Sequence, residues 1–229
     1  MPNVFFGKPK GDMMEFDDHE TEHLKVVRAE EGQSIEVTDG KGILYKVILR
    51  KLGKKRSYGD IIEAHRMERL PESLLSLYIA SSNWERLRFL VEKAVELGVD
   101  KIVIFKAERS KRDYSKKRKK LELVIRDSAK QCVKYLFPKL ELRSSVFNLE
   151  TPEGEIIVLD RDGVNFREAK IELKNGVGIV VGPEAGFTER EQDFLSKRGR
   201  RVSLGRKILR FETAGLVALS LLAFEMGKI

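Results

Sequence analysis

The most suggestive run of residues is Gly182-Pro183-Glu184-Ala185-Gly186-Phe187. Its two glycines let a backbone approach a ligand closely. Pro183 stiffens the loop and withdraws one donor. The remaining N–H groups precede a helix opening at Thr188, which has Glu191 three residues on, the spacing of a capping box. On composition this loop is either a ligand cradle or a tight strand-to-helix turn, and both readings stand. A second loop, Leu204-Gly205-Arg206-Lys207-Ile208-Leu209-Arg210, mixes cations with two apolar residues. Ile208 and Leu209 either cover a flat aromatic ligand or anchor the loop to the core. Arg210 either pairs with Glu212 or stabilises negative charge on a substrate. Leu159-Asp160-Arg161 ends a third apolar run.

Several chemistries are excluded. Gly176-Val177-Gly178 through Gly182 imitates a dinucleotide fingerprint, but its first two glycines precede the strand instead of following it. No Gly-Lys-Ser/Thr phosphate loop is present. His19, His23 and His65 all fall in the first third of the chain, away from the candidate loops, which argues against a His–Ser–Asp triad and a His-rich metal site there. His19 and His23 stand four apart, but their neighbours complete no metal pattern, and no metal is expected. Cys132 is the one cysteine and sits among apolar residues, as a structural thiol does. With no obvious nucleophile, the chemistry falls to positioning and a cofactor.

The elements that must hold these loops can be read from periodicity. Ser34 to Thr38 alternates and ends at Asp39-Gly40, a turn signal. Ile43 to Leu52 and Asp60 to Ala64 read as further strands, with a short helix over His19 to Ala29. Short strands with Gly turns suggest a small barrel in residues 1–70. Past Pro71 the pattern changes. Leu74 to Ala80, Lys101 to Lys106, Ile156 to Leu159, Val177 to Val181 and Arg201 to Leu204 read as strands. Asn83 caps a helix ending near Gly98, Lys116 to Phe137 reads as one long helix stopped by Pro138, and further helices cover Thr188 to Ser196 and Glu212 to Met226. Strands alternating with helices mean an α/β fold with a mostly parallel sheet over residues 71–229. In such sheets ligands bind at the carboxyl ends of strands. The last helix is apolar almost all round, with Gly215 beside Ala214 and Ala218 four further on, which suits a core or a homodimer interface.

The 229 residues carry a net charge of +8. Residues 1–70 are balanced, so the excess lies in the second part. A basic surplus suits a polyanion such as RNA, or a solvated Lys/Glu-rich surface. Arg109 to Lys120 holds eight Lys/Arg in twelve residues, with Tyr114 among them. No apolar run reaches the roughly 18 residues of a membrane span, and the opening residues lack a signal-peptide pattern. A cytoplasmic protein is expected.

Taken together, Gly182 to Glu191 and Leu204 to Ala214 resemble the RsmE family, the 16S ribosomal RNA uridine-N3 methyltransferases of the SPOUT class. Glu92 to Val99, Glu108-Arg109-Ser110, His23-Leu24 and Val27-Arg28 match as well, so the resemblance covers nearly the whole chain. It implies a PUA-like RNA-binding barrel over 1–70, then a methyltransferase domain over 71–229 with a C-terminal trefoil knot. It also implies a homodimer and S-adenosylmethionine. The cofactor would be held by Leu159, Gly182, Glu184, Ala185, Gly186, Leu204, Gly205, Lys207, Ile208 and Leu209. Arg210 would stabilise the deprotonated uridine, and the proton would go to Glu212 or to water, Glu212 otherwise holding Arg210 or capping the helix. Expected RNA contacts are His23, Lys25, Arg28, Arg88, Lys93, Arg109, Lys111, Arg112, Lys130 and Lys134. The chain departs from the family pattern at Asn3, Lys130, Lys134, Ala185, Lys207 and Phe211. Competing readings are a SPOUT enzyme with another target, such as a ribose 2′-hydroxyl or a tRNA base, and a non-catalytic RNA-binding dimer.

Overall fold

The computed structural model describes residues 4–114, 116–150 and 154–229, so Asn3 lies outside the described residues. The chain divides into two compact units. One comprises the residues up to Leu70 together with Arg126–Phe137, and the other comprises Pro71–Ile125 and Pro138–Ile229.

The first unit contains β1 (Val4–Phe6), β2 (Lys8–Lys10), β3 (Met13–Phe16), α1 (Asp18–Val26), β4 (Ser34–Thr38), β5 (Ile43–Leu52) and β6 (Ser57–Arg66). They form one sheet in the order β1-β4-β5-β6-β3-β2, parallel only between β1 and β4. Alternation works as read from the sequence, with Ile35 and Val37 inward and Ser34 and Glu36 outward. Phe5 from β1 and Met14 and Phe16 from β3 share one core with Val37, Val47 and Leu49 of the central strands. Residues near opposite edges meet in that core because the sheet curls. The three short N-terminal strands carried too few residues to show a period.

The second unit contains β7 (Leu75–Ala80), α2 (Trp84–Glu96), β8 (Lys101–Phe105), the start of α3 (Arg118–Gln131), β9 (Lys139–Arg143), β10 (Glu155–Asn165), β11 (Val177–Val181), α4 (Glu189–Ser196), β12 (Arg200–Ser203) and α5 (Phe211–Glu225). Its sheet runs β12-β10-β11-β7-β8-β9, with every pairing parallel. All residues of β7 and β11 are buried, as strands covered on both faces must be. α2 packs on α5, and Gly215 makes this possible. A Cβ there would lie 2.7 Å from Leu90 Cδ2.

One expected helix is shorter than its pattern. The stretch to Phe137 ends as helix at Gln131, because Val133 adopts φ 59° and Lys134 N–H bonds back to Ala129 O. Residues past it turn into the first unit, where Phe137 N–H donates to Gly40 O and Gly42 N–H to Tyr135 O. The expected contiguous second domain is therefore interrupted by residues 126–137.

That excursion completes a buried ionic cluster. Glu20 is fully buried on α1, and the Lys130 ammonium lies 2.9 Å from its Oε2 with 8% of the side chain exposed. His23 Nδ1 stands 3.1 Å from Glu20 Oε1, and Arg126 pairs with Asp17 at 2.7 Å. Burial works to raise the Glu20 carboxyl, but the His23 hydrogen bond and the Lys130 charge outweigh it and hold it below 4.5. A depressed carboxylate contributes stability above its unfolded pKa and loses it as pH falls through the folded one.

Replacing Lys130 with Ala leaves a buried carboxylate without its ammonium counter-charge, with His23 still beside it. This should cost the first unit about 3–5 kcal/mol in urea denaturation at pH 7. The deficit should shrink as pH falls through the lowered pKa of Glu20, where the carboxylate protonates in the wild type as well. A variant as stable as wild type at neutral pH would contradict the assignment.

Candidate active site

Because β10, β11 and β12 run parallel and adjacent, the chain leaves all three at the same edge of the sheet. Their following loops enclose a cavity of about 550 Å³, within the range of small-molecule sites. Every residue expected at a cofactor lines it: Leu159, Gly182, Glu184, Ala185, Gly186, Leu204, Gly205, Lys207, Ile208 and Leu209. Phe211, a departure from the family pattern, lines it too and is buried. Gly186 at φ 71° and Gly205 at φ 124° adopt backbone that L side chains rarely enter. Ile208 is 82% exposed, so it is not the core anchor that one reading allowed.

The loop after β11 is tied down from three sides. The Thr188 hydroxyl caps α4, and the Glu191 carboxylate accepts from the Thr188 N–H, completing the expected capping box. Glu191 is fully buried and also accepts from Glu108 N–H at 2.8 Å. Arg109 donates to the carbonyls of Ala185 and Phe187 at 3.2 and 3.3 Å. The Ser82 hydroxyl donates to Glu184 Oε1 at 2.5 Å, and Arg86 reaches the same oxygen at 3.3 Å. Burial opposes ionisation of Glu184, yet the Ser82 hydrogen bond and the Arg86 charge keep its carboxyl below the usual range. Asp160, also on the cavity wall, pairs with Arg201 at 3.0 Å and is lowered in the same way against burial.

The expected Arg210–Glu212 pair does not form. Arg86, from α2, takes Glu212 instead, with Nε 3.9 Å from Oε2. Glu212 Oε2 is buried and accepts no hydrogen bond among the described residues. Arg210 is exposed, occupies the N-cap of α5 without a side-chain cap bond, and has no side-chain partner among the described residues. A cation at a helix N-terminus is electrostatically misplaced unless an anion joins it. Sequence reading missed Ser82 and Arg86. Their partner Glu184 lies about a hundred residues away, and nothing local marks them.

The cations expected on RNA are mostly engaged. Lys130 is buried against Glu20 and cannot reach a phosphate. His23 bonds Glu20, and Lys25 donates to Lys54 O. Arg88 pairs with Glu92 and Lys93 with Glu96 along α2. Arg109 braces the pocket loop. Arg28, Lys111 and Arg112 are exposed, and Lys134 is half-buried.

Comparison with known proteins gives a consistent picture. The family model of the RNA methyltransferase domain matches residues 69–223, and that of the RNA methyltransferase PUA domain matches residues 16–62. Ribosomal RNA small subunit methyltransferase E of Aquifex aeolicus is 26% identical over 96% of this chain and 98% of its own length. The protein of the same name from Bacillus subtilis is 29% identical over 90% of this chain and 88% of its own. A crystal structure described as a predicted RNA methyltransferase of Thermotoga maritima shares 40% identity with a TM-score of 0.88, covering all of both chains. The methyltransferase E of Neisseria gonorrhoeae, bound to S-adenosyl methionine, superposes with a TM-score of 0.83 at 24% identity, covering 98% of each chain.

Removing the carboxylate with Glu184→Ala should free the loop after β11. Amide exchange at Ala185 and Gly186 should quicken about tenfold, the loss of charge-assisted hydrogen bonds. Unchanged exchange would show that Arg109 and Glu191 suffice.

Proposed function

This chain belongs to the RNA methyltransferase family, and on that premise we propose that it methylates N3 of a uridine in 16S ribosomal RNA, using S-adenosylmethionine. The observation that carries the reading is the convergence of the three loops on one cavity beside Arg210, which has no side-chain partner among the described residues. The relatives named as small-subunit methyltransferases support the substrate. Such a substrate makes this a cytoplasmic enzyme.

The residues present fit the cofactor. Leu159, Ile208 and Leu209 offer apolar cover for an adenine, and Gly182, Gly186 and Gly205 admit close backbone contact. The Asp160 and Glu184 carboxylates, both held ionised, suit a ligand bearing positive charge. Bound there, S-adenosylmethionine supplies an electrophilic methyl group on a sulfonium. The family resemblance implies that the C-terminal segment carrying these loops is threaded as a knot.

The protein's own work is then positional and electrostatic. Uridine N3 carries a proton that must leave before the nitrogen can attack. Arg210 stabilises the resulting anion, assisted by the free N–H groups at the start of α5. The buried Oε2 of Glu212, which accepts no hydrogen bond among the described residues, takes the proton, with Arg86 holding that carboxylate in place. The target base leaves its stack to reach this site. Lys111 and Arg112 of the second unit hold flanking phosphates, and Arg28, Lys134, Lys25 and the exposed edge of His23 supply the RNA contacts of the first unit. Lys130 is not among them, for the reason given above.

α5 also supports a homodimer. Val217, Leu221 and Phe224 are 36%, 42% and 70% exposed and recur at one-face spacing. Phe224→Asp should shift the protein to a monomer in light scattering at micromolar concentration. A dimer unaffected by this change would place the interface elsewhere.

The decisive assay incubates the protein with labelled S-adenosylmethionine and small ribosomal subunits lacking the modification, with naked 16S RNA and tRNA in parallel. The expected product is 3-methyluridine by mass spectrometry. Arg210→Ala should lower kcat by about 10²–10³ and leave cofactor affinity unchanged. Full activity in that variant would remove Arg210 from the mechanism, and a methylated ribose or tRNA base would replace the target.

A further inference from the structure

The chain contains one tryptophan, Trp84, at the first position of α2. It is half-buried rather than sunk in the core. Its ring lies 5.6 Å from that of Tyr114 at an interplanar angle of 43°, and the Lys120 ammonium sits 3.5 Å from its centroid. Lys120 is itself exposed. The Arg112 charge also acts on the Tyr114 hydroxyl, whose pKa burial nevertheless raises. The result is an aromatic pair bordered by cations, one ring of which lies within the segment with eight Lys/Arg in twelve residues.

Its position ties it to the cavity. Two residues before Trp84, the Ser82 hydroxyl bonds Glu184 on the cavity wall, and two residues after it Arg86 reaches the same carboxylate. Both aromatic residues follow the carboxyl ends of β7 and β8, at the edge where the three pocket loops emerge.

We propose that Trp84 and Tyr114 form a stacking platform for an unpaired base of the RNA strand that flanks the target nucleotide. The inference rests on the RNA methyltransferase reading above. Lys120 holds the ring face in the free protein. A surface cation–π contact is weaker than a base–aromatic stack, so an incoming base displaces the ammonium. The released Lys120, on its flexible stem, then meets the phosphate of the same nucleotide. Such a platform helps keep the target base extruded, because its neighbour has a stack to occupy outside the duplex.

As the only tryptophan, Trp84 reports on itself. With saturating S-adenosylhomocysteine present, an unmodified 16S RNA transcript and octauridylate should each quench its emission saturably. Polyglutamate of matching charge should not. Trp84→Ala should raise KM for small subunits about tenfold, the loss of one stack, with kcat and cofactor affinity unchanged. Trp84→Phe, which keeps an aromatic face, should stay within about threefold of wild type. Absence of quenching by RNA, equal quenching by polyglutamate, or an unchanged KM in a folded Trp84→Ala protein overturns the platform. Should Trp84→Ala fail to fold, the wild-type titration and Trp84→Phe decide. Methyl transfer by the wild type is scored separately. Its failure with RNA quenching intact refutes the activity and leaves the platform standing, and methyl transfer without quenching does the reverse.

Discussion

Parallel pairing of β10, β11 and β12 is the constraint on which the rest of the second unit depends. Strands that all point one way release their loops at one edge, and each needs a crossover to return. The crossovers bury both faces of the sheet, which is why β7 and β11 have no polar face to spare. Chemistry is thereby driven to the loops. The chain starts this sheet at β7, builds outward through β8 and β9, then returns to the other side of β7 for β11 and β10. That reversal is where open α/β sheets leave a crevice, and the cavity lies along the strands that follow it.

Within the crevice, charge is distributed by one residue of α2. Arg86 reaches Glu184 on the loop after β11 and Glu212 in the first turn of α5. Glu212 suits a helix N-terminus, whereas Arg210 does not. Had these two paired, as their spacing allowed, the site would have been neutral and closed. Arg86 takes the carboxylate and leaves Arg210 as an exposed cation at a place where the helix alone disfavours one.

Much of this was legible in the sequence. The buried strands showed as unbroken apolar runs, the α2 and α4 caps as Asn83 and as Thr188 with Glu191, and the cavity walls as the glycine-bearing loops. What was not legible depends on distant partners. Helical periodicity carried on past Gln131, but the hydrogen bonds of Tyr135 and Phe137 with Gly42 and Gly40 drew those residues away. Lys130 looked like one more basic residue until Glu20, more than a hundred positions earlier, was found beside it. Short strands such as β1 and β2 offered too few residues for a period to emerge, and charge alone could not separate braced cations such as Arg109 from exposed ones such as Arg112.

The return of residues 126–137 to the first unit bears on how the chain is made. A ribosome delivers the sequence from the N-terminus, and contiguous domains fold as they emerge. Here Glu20 emerges long before Lys130, and Gly40 long before Phe137. The first unit therefore waits, incomplete, while β7, α2 and β8 are synthesised. During that interval Glu20 has His23 within its own helix but not yet the Lys130 ammonium. Completion of the first unit thus doubles as a checkpoint that α3 has been translated, making the order of assembly a property of the chain's connectivity.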